Sequence, residues 1–383
     1  MRRADATARL RAVEASRSPW ELVGSLDDPS PEVARAAIGR LVELEGPRAA
    51  DPLRARLLDA DLSLVAEFAN ALMRIGAGGV VEAATAALGD ERYSRRLAAI
   101  RALGVLGDQR AAAQVRIALE DNVAGVRTAA LEALAQLGDG CAVGADCAQL
   151  LTDAVPHVRI AAVRSVARLV THPGELLAPA AADEDRLVRL EVAQHVARLP
   201  EHTAKAVLAD PDIRVREAAA RAAGTRELGA LSVLLTDDPA PDVRRASAHA
   251  LGGMRDQRVA DVLVRGLEDP DAMVRAAVLR ALERLLTSEG AGRRLCAELA
   301  CEGPERRRAA LYALARLEAR ERGPELSRLA DDPDPDVRLA LIHSAEALYE
   351  EPEPLMRYLA ADSDRVVRES AEMWLLRATP SEM

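Results

Sequence analysis

The residues of this chain that most often do chemistry are its histidines and cysteines, and they are few. The 383 residues include six histidines and four cysteines. The cysteines lie in two pairs, Cys141 with Cys147 and Cys296 with Cys301, and neither spacing is the short CxxC of zinc and redox sites. The sequence has no GxGxxG or P-loop motif for binding phosphates. We therefore expect reduced, buried thiols, no cofactor and no catalytic residues.

The histidines do not indicate a metal site either. His249 and His343 occupy the same position of the repeat described below, but they lie three repeats apart and are too distant to bind one ion. His195 falls on a core position, where we expect a buried, hydrogen-bonded side chain. The remaining histidines are His157, His172 and His202.

Aspartates could also bind cations, and eleven of them recur at a fixed place in a repeated segment. The segment DDPAPDVRRASAHALG begins at Asp237, and variants of it begin at Glu268 and Asp331. We take the Val of each Val-Arg pair, or the residue in its place, as the reference position of a repeat. The reference positions follow one another at intervals of 27 to 32 residues and are Val33, Leu64, Arg95, Val126, Val158, Val188, Val215, Val243, Val274, Arg306, Val337 and Val367.

Charged residues keep the same register in nearly every repeat. Asp stands five residues before the reference position in eleven of twelve repeats, and Cys301 is the exception. Arg stands one residue after it in all but the first two repeats, which have Ala34 and Val65. Two columns of opposite charge indicate a structural role for the aspartates rather than a metal site.

Each repeat has the pattern of a helical hairpin. Apolar residues recur 0, 3, 4, 7, 8 and 11 residues after the reference position, as in the repeat of Val126, and this spacing forms one stripe of an α-helix. Ser30-Pro31 and Asp334-Pro335 are typical helix starts. Glycines such as Gly107 and Gly138 stand where a helix ends in the left-handed conformation. A second helical pattern precedes each aspartate. Because one hairpin cannot bury its apolar side alone, the hairpins must stack.

The Asp-x4-Val-Arg pattern resembles HEAT repeats, in particular the short bacterial form of about 30 residues found in phycobilin-lyase-type proteins. The resemblance covers residues 19–378 and implies a right-handed all-α solenoid of about twelve HEAT-like hairpins, whose Val-Arg helices line the concave side. It also implies that aspartates in the turns pair with arginines of neighbouring repeats. The residues carried over to this ladder are Asp121, Asp153, Asp238 and Asp332, with Arg127, Arg159, Arg244 and Arg338.

The repeat register also predicts the domain organisation. We expect a capping helix within residues 1–17, the repeat array over residues 18–378 and a short tail over 379–383. The shortest intervals, 27 and 28 residues, indicate a bend near residues 199–215.

A solenoid usually binds its partners on the concave side. The positions 2 and 6 residues after the reference position should face this side, and they form a stripe with more arginines than acids in a protein of net charge -10. Gly and Ala at the position 9 residues after it, such as Gly104 and Gly252, would either leave a groove or only let adjacent helices pack closely. The arginines are either recognition residues or a solvated face. The predicted binding residues are Leu97, Arg101, Ile160, Arg164, Leu190, Arg221, Arg245, His249, Arg280, Arg308, Tyr312 and His343.

These features favour a non-catalytic scaffold that binds a protein or peptide, with an acidic amphipathic segment as the partner. The alternative, from the resemblance, is a lyase or chaperone acting on a protein-bound chromophore. A nucleic-acid-binding module is less favoured because the chain is acidic. The sequence contains no His-Glu dipeptide, which supplies the iron ligands of the HEAT-like deoxyhypusine hydroxylases.

Location and source are also expectations from composition. The first residues lack the apolar stretch of a signal peptide, and no apolar run approaches the ~20 residues that span a bilayer. Lys205 is the only lysine among many arginines, which is typical of a GC-rich genome. We expect a bacterial cytoplasmic protein.

Overall fold

The computed structural model describes residues 2–138, 140–254, 256, 258–285, 295–316 and 326–378, and these residues contain helices and turns but no strand. After the N-terminal helix α1 (Arg2–Ala15), short first helices alternate with longer second helices. The first helices are α2 (Pro19–Ser25), α4 (Ala50–Leu57), α6 (Val80–Ala86), α8 (Ala112–Ile117), α10 (Gly140–Gln149), α12 (Gly174–Leu177), α14 (Glu201–Leu208), α16 (Leu228–Asp237), α18 (Arg258–Arg265) and α22 (Glu353–Leu359).

The second helices contain or directly follow the twelve reference positions. They are α3 (Pro31–Glu45), α5 (Val65–Arg74), α7 (Tyr93–Leu106), α9 (Ala124–Leu137), α11 (Pro156–Leu169), α13 (Arg186–Ala193), α15 (Ile213–Ala222), α17 (Pro241–Leu251), α19 (Ala272–Leu285), α20 (Pro304–Arg316), α21 (Pro335–Leu348) and α23 (Arg365–Ala378). Several first helices continue into a 3-10 turn, as at Ala118–Glu120 and Gly266–Glu268. The predicted all-α fold of HEAT-like hairpins is confirmed.

The apolar stripe of each second helix forms the core. In α9 all six residues of the predicted stripe are buried, from Val126 to Leu137. Alanine supplies many of these positions, so that the next helix can approach closely. Phe68 is the largest of the fully buried side chains. The core is therefore a thin layer of small aliphatic residues between consecutive hairpins.

The predicted helix ends are present, with one difference in chemistry. Gly107 and Gly138 end α7 and α9 in the left-handed conformation, with φ of 68° and 75°. Asp334 accepts hydrogen bonds from the backbone N–H groups of Asp336 and Val337 at the start of α21. Ser30 precedes α3 as expected, but its side chain makes no capping hydrogen bond.

The chain divides into two compact units. The first contains residues 1–192 and 198–200, and the second contains 193–197 and 201–383. In the first unit α1 packs on α3, and the second helices pack in order from α3 to α11. In the second unit α15, α17 and α19 pack in order, as do α20, α21 and α23. The division falls close to the bend predicted near residues 199–215.

The predicted burial of His195 is wrong because α13 is short. This helix ends at Ala193, and a 3-10 turn over Val196–Arg198 follows it. His195 therefore leaves the helical stripe and is half-buried instead of lying in the core.

Membrane insertion is a separate question. Over the ranges that the structure describes, every helix is too short or too polar to cross a bilayer.

Candidate functional site

The recurring aspartates and arginines form a ladder of bidentate ion pairs between successive repeats. Among the described residues, at least seven arginines each donate from Nε and Nη2 to the two carboxylate oxygens of the aspartate in the next repeat, at 2.6–3.1 Å. The pairs are Arg96–Asp121, Arg127–Asp153, Arg159–Asp183, Arg216–Asp238, Arg244–Asp269, Arg307–Asp332 and Arg338–Asp362.

The third guanidinium nitrogen and the backbone complete each step of the ladder. Nη1 of Arg159 donates to the carbonyl oxygen of Asp153, the turn residue of its own repeat, at 2.8 Å. Oδ1 of Asp153 accepts the backbone N–H of Val155 at 2.8 Å. The same two contacts recur at Arg244 and Asp238. One arginine therefore joins the turns of two repeats.

These contacts set the charge of the aspartates. Burial alone would raise the pKa of Asp153, but the hydrogen bonds from Arg127 and from the Val155 N–H outweigh it and lower the pKa. The pKa of Asp183 is lowered in the same way by Arg159 and the Asp185 N–H. Across the described part of the chain, no group of three or more His, Cys, Asp or Glu side chains is arranged to hold a metal ion. The aspartates are thus structural anions whose oxygens are already bonded.

At the N-terminal end of the ladder, arginines from other positions bind the first aspartates. Asp28 receives a bidentate pair from Arg9 of α1, so the N-terminal helix supplies the arginine that a preceding repeat would give. Ala34 and Val65 stand where the next two ladder arginines would be. Asp59 and Asp90 each lie within 4.0 Å of the arginines at positions 92 and 95 instead.

In the first unit, the predicted binding stripe is more packed than expected. Leu97 is only 8% exposed, so the prediction of an exposed apolar contact is wrong for this residue. Ile160 and Leu190 are half-buried. A Cβ added to Gly104 would come within 3.1–3.2 Å of Ala133, which shows that the small residue lets α7 and α9 pack closely. Between these two helices the small residue allows close packing, as one interpretation predicted. The other interpretation, that it leaves a groove, is wrong here.

The arginines of this unit also have internal roles. Arg101 donates from Nη1 to the carbonyl oxygen of Leu62. Arg164 forms a 2.8 Å ion pair with Glu191, which is only 7% exposed. Because a buried carboxylate needs a partner, Arg164 stabilises the first unit and is not a freely solvated side chain.

In the second unit, the structure brings four arginines together around an exposed histidine. Partial desolvation lowers the pKa of His249, and the positive charges of its surroundings lower it further. The charges that act on it belong to Arg280, Arg284, Arg245 and Arg221. We call these five residues the basic cluster.

The arginines of the basic cluster differ in their partners. Arg221 pairs with Glu217 and Arg245 with Asp242, each within its own helix. Arg280 and Arg284 are exposed, and neither forms an ion pair within the described residues. Sequence reasoning missed Arg284. Its signal was present, because it follows Arg280 by four residues and so lies on the same helix face.

The last three predicted residues line two grooves. Arg308 and Tyr312 belong to a groove of about 620 Å³ between α19 and α20. Arg308 pairs there with Glu305 and with Asp336, and Tyr312 is 39% exposed. His343 is exposed and lines a groove of about 490 Å³ between α21 and α23, together with Trp374.

The cysteines differ in burial. Cys147 is buried, and this raises the pKa of its thiol to about 12, with a further contribution from Asp146. Cys296 and Cys301 are only half-buried and form no disulfide, so the expectation of burial is wrong for both. The side chain of Cys141 lies outside the described residues.

Comparison with known proteins identifies the repeat. A family model for HEAT repeats matches residues 228–315 and 292–375, and the same unit recurs through the rest of the structure. Residues 228–375 of the chain therefore consist of HEAT repeats. A search of curated proteins found no match.

The solved structures matched by the comparison have low sequence identity to this chain. YibA of Escherichia coli is 20% identical, with a TM-score of 0.44, over 73% of this chain and 96% of its own. The CpcE–CpcF complex of phycocyanin lyase from Nostoc sp. is 20% identical, with a TM-score of 0.32, over 71% and 96%. The karyopherin Kap121p, bound to the extreme C-terminus of the phosphatase Cdc14p, is 12% identical, with a TM-score of 0.44, over 91% and 51%. At these identities the similarities concern the fold alone.

Proposed function

We propose that this protein is a non-catalytic scaffold that binds a protein segment, and that the basic cluster around His249 holds the acidic residues of that segment. The observation that carries the proposal is the local charge. The charges of four arginines act on His249 in a chain whose net charge is -10, and two of these arginines form no ion pair within the described residues. Charges spread evenly over the surface would not concentrate in this way.

The chemistry of the cluster favours binding over catalysis. Arginine stays protonated at any physiological pH, so it does not transfer protons, but its planar guanidinium binds carboxylates with two hydrogen bonds. The lowered pKa of His249 keeps this side chain neutral near pH 7. The cluster therefore offers positive charge and hydrogen-bond donors rather than an acid–base pair.

Arg280 and Arg284 are the residues most available to a partner, since Arg221 and Arg245 already pair with carboxylates. An acidic segment that crosses α19 would meet both, because they are one helical turn apart. Attraction of this kind increases the rate of association and the specificity of binding, and it weakens with salt.

Charge reversal at α19 tests the proposal. We expect Arg280→Glu with Arg284→Glu to weaken binding of the native partner by tenfold or more at low salt, on the order of 1.4 kcal/mol. The partner is first captured from extracts of the source cells with wild-type protein, and its dissociation constant is then measured for each variant. The difference between variants should shrink as salt rises.

Arg265→Glu with Arg328→Glu is the matched control. Both arginines are exposed, lie in first-helix segments and form no ion pair within the described residues, so the change of net charge is the same. Equal loss of binding in both double variants would show a general charge effect and would contradict the proposed site. Visible absorbance of the purified protein would instead favour the lyase alternative. Co-purified nucleic acid would favour the alternative of a nucleic-acid-binding module.

A further inference from the structure

One repeat lacks the ladder aspartate. Position 301 corresponds to the ladder aspartate, and Cys301 stands there. The arginine that would bind this aspartate is Arg275 of the preceding repeat, as Arg244 binds Asp269. A thiol cannot accept the two hydrogen bonds that a carboxylate accepts from a guanidinium. Arg275 thus lacks the carboxylate partner that the paired ladder arginines have.

The guanidinium of Arg275 is nevertheless held as in the other repeats. Its Nη1 donates to the carbonyl oxygens of Asp269 and Pro270 at 2.7 and 3.0 Å. Arg244 makes the corresponding contacts with Asp238 and Pro239 at 2.8 and 3.3 Å. In Arg244 the remaining edge, Nε and Nη2, binds a carboxylate. In Arg275 the equivalent edge has no carboxylate partner within the described residues, and its orientation is already fixed.

This arginine is accessible from outside. Arg275 is half-buried and lines the 620 Å³ groove between α19 and α20. Leu279 of α19 and Tyr312 of α20 line the same groove and give it an apolar wall. A ligand could therefore place a carboxylate on Arg275 and an apolar group against Leu279 and Tyr312.

The other charges of the groove are already in pairs. Glu268 pairs with Arg306, Asp269 with Arg244, and Glu305 with Arg308. These pairs offset the negative charge of the lining acids, so that an incoming anion meets Arg275 as the side chain without a carboxylate.

We propose that Arg275, Leu279 and Tyr312 form a binding site for an aspartate or glutamate side chain that is followed by an apolar residue in the partner segment. The carboxylate takes the place that the ladder aspartate occupies in the other repeats, and so completes the ladder from outside. The site rests on the proposed scaffold function, but it lies in its own groove and does not include the basic cluster.

The first test concerns the ladder itself and needs no ligand. Cys301→Asp supplies the internal carboxylate, and Cys301→Ser is the control of similar size without charge. We expect Cys301→Asp to have a higher melting temperature than both wild type and Cys301→Ser at neutral pH. Equal melting temperatures for the two variants would show that the free edge of Arg275 does not face position 301, and would overturn the proposal.

The second test uses a defined ligand, the blocked dipeptide acetyl-Asp-Phe-amide, with acetyl-Asn-Phe-amide as its uncharged control. Binding is followed by the NMR signal of the Arg275 Nε–H. We expect a saturable shift with the Asp peptide in wild type and in Cys301→Ser, and at least about tenfold weaker binding of the Asn peptide, since a charge-assisted pair is lost. In Cys301→Asp the internal carboxylate should compete and remove the response.

The outcomes separate this site from the proposed function. Acetate that shifts the Arg275 signal as strongly as the Asp peptide would show a site for any free carboxylate and would contradict the apolar requirement. An equal response in Cys301→Asp and wild type would overturn the site altogether. Arg280→Glu with Arg284→Glu should leave dipeptide binding within about twofold of wild type, because the basic cluster is not part of the groove. If Arg280→Glu with Arg284→Glu does not weaken binding of the native partner, the proposed role of the basic cluster is contradicted. The dipeptide measurements still decide whether the groove is a binding site.

Discussion

At the scale of single residues, the ladder arginines have a structural role that depends on buried carboxylate partners. Arg159 illustrates it, because its side chain is 7% exposed and that of Asp183 is 8% exposed. Such a pair contributes little compared with a well-packed apolar pair, but removal of one partner leaves the other charge buried. The structural role of this column is therefore visible mainly when one member is lost.

Arg159→Ala should be strongly destabilising. The change leaves the carboxylate of Asp183 with the backbone N–H of Asp185 but without its guanidinium donor, and it removes the Arg159 donor from the carbonyl oxygen of Asp153. We expect a loss of about 3 kcal/mol in the free energy of unfolding, measured by urea denaturation at pH 7. Arg244→Ala should behave alike.

Arg168→Ala is the control for this loss. Arg168 lies on the same helix, α11, but is exposed and makes no ion pair within the described residues. Its replacement should change the free energy of unfolding by less than about 0.5 kcal/mol. Similar losses for Arg159→Ala and Arg168→Ala would contradict the role of the ladder.

The contacts and exposure of a residue could be predicted where the repeat determines them, but not where a neighbouring helix does. The ladder partners were accessible from the sequence because the repeat places each arginine next to the following turn. Leu97 and Arg164 were not, since their exposure depends on the neighbouring helix and on one buried acid, Glu191, outside the repeat pattern. The cluster around His249 could be predicted only in part, because Arg284 stands ten residues after Val274 and so lies outside the positions that define the stripe.

At the scale of helices, close approach decides where glycine is required. A Cβ added to Gly252, at the end of α17, would lie 2.5 Å from Cβ and 2.7 Å from Cα of Ala281 in α19. The second contact is with backbone, which moves only if the two helices separate. Gly39 lies inside α3 and has no atom within 4 Å of an added Cβ.

These two glycines predict opposite effects of the same substitution. Gly252→Ala should destabilise the protein by about 1–3 kcal/mol, because α17 and α19 must move apart. Gly39→Ala should be neutral or stabilise it by up to about 1 kcal/mol, because alanine favours the helix. Thermal unfolding of both variants checks the contrast. A Gly252→Ala protein as stable as wild type would show that the helices are not held at this contact.

The boundaries of the helices followed from the sequence only where the repeat is regular. Glycine after α7 and α9, and Asp or Ser before α21 and α3, are local signals that need no tertiary structure. The early end of α13 has no such signal. Its sequence continues with Gln194 and His195 in the helical register, and only the structure shows the turn at Val196–Arg198.

At the scale of the whole molecule, the ladder couples stability to pH. The pKa values of several ladder aspartates are lowered in the folded protein, among them Asp28, Asp121, Asp153, Asp183 and Asp362. The unfolded chain has aspartates of pKa near 3.9. Above that value both states are ionised, so the ladder contributes its full stability. As the pH falls, the unfolded state takes up protons first, and the stability is lost through the folded pKa values.

Acid should therefore lower the free energy of unfolding, because the protonation of each ladder aspartate contributes a small loss of stability. We expect the free energy of unfolding from urea denaturation to fall steeply below about pH 4. Below the pI of about 5.3, protonation of the surface acids makes the chain increasingly positive, and the repulsion among its arginines also lowers stability. The total pH dependence therefore combines both effects.

Asp153→Asn separates the ladder from the surface charge. This variant loses one titrating ladder carboxylate, so it should be less stable than wild type at pH 7 and should lose less stability between pH 5 and pH 3. Glu175→Gln is the control, since Glu175 is exposed and forms no ion pair within the described residues; its curve should parallel that of wild type. If Asp153→Asn and wild type lose equal stability over this range, the ladder aspartates do not titrate at lowered pKa values, and acid sensitivity must come from elsewhere in the chain.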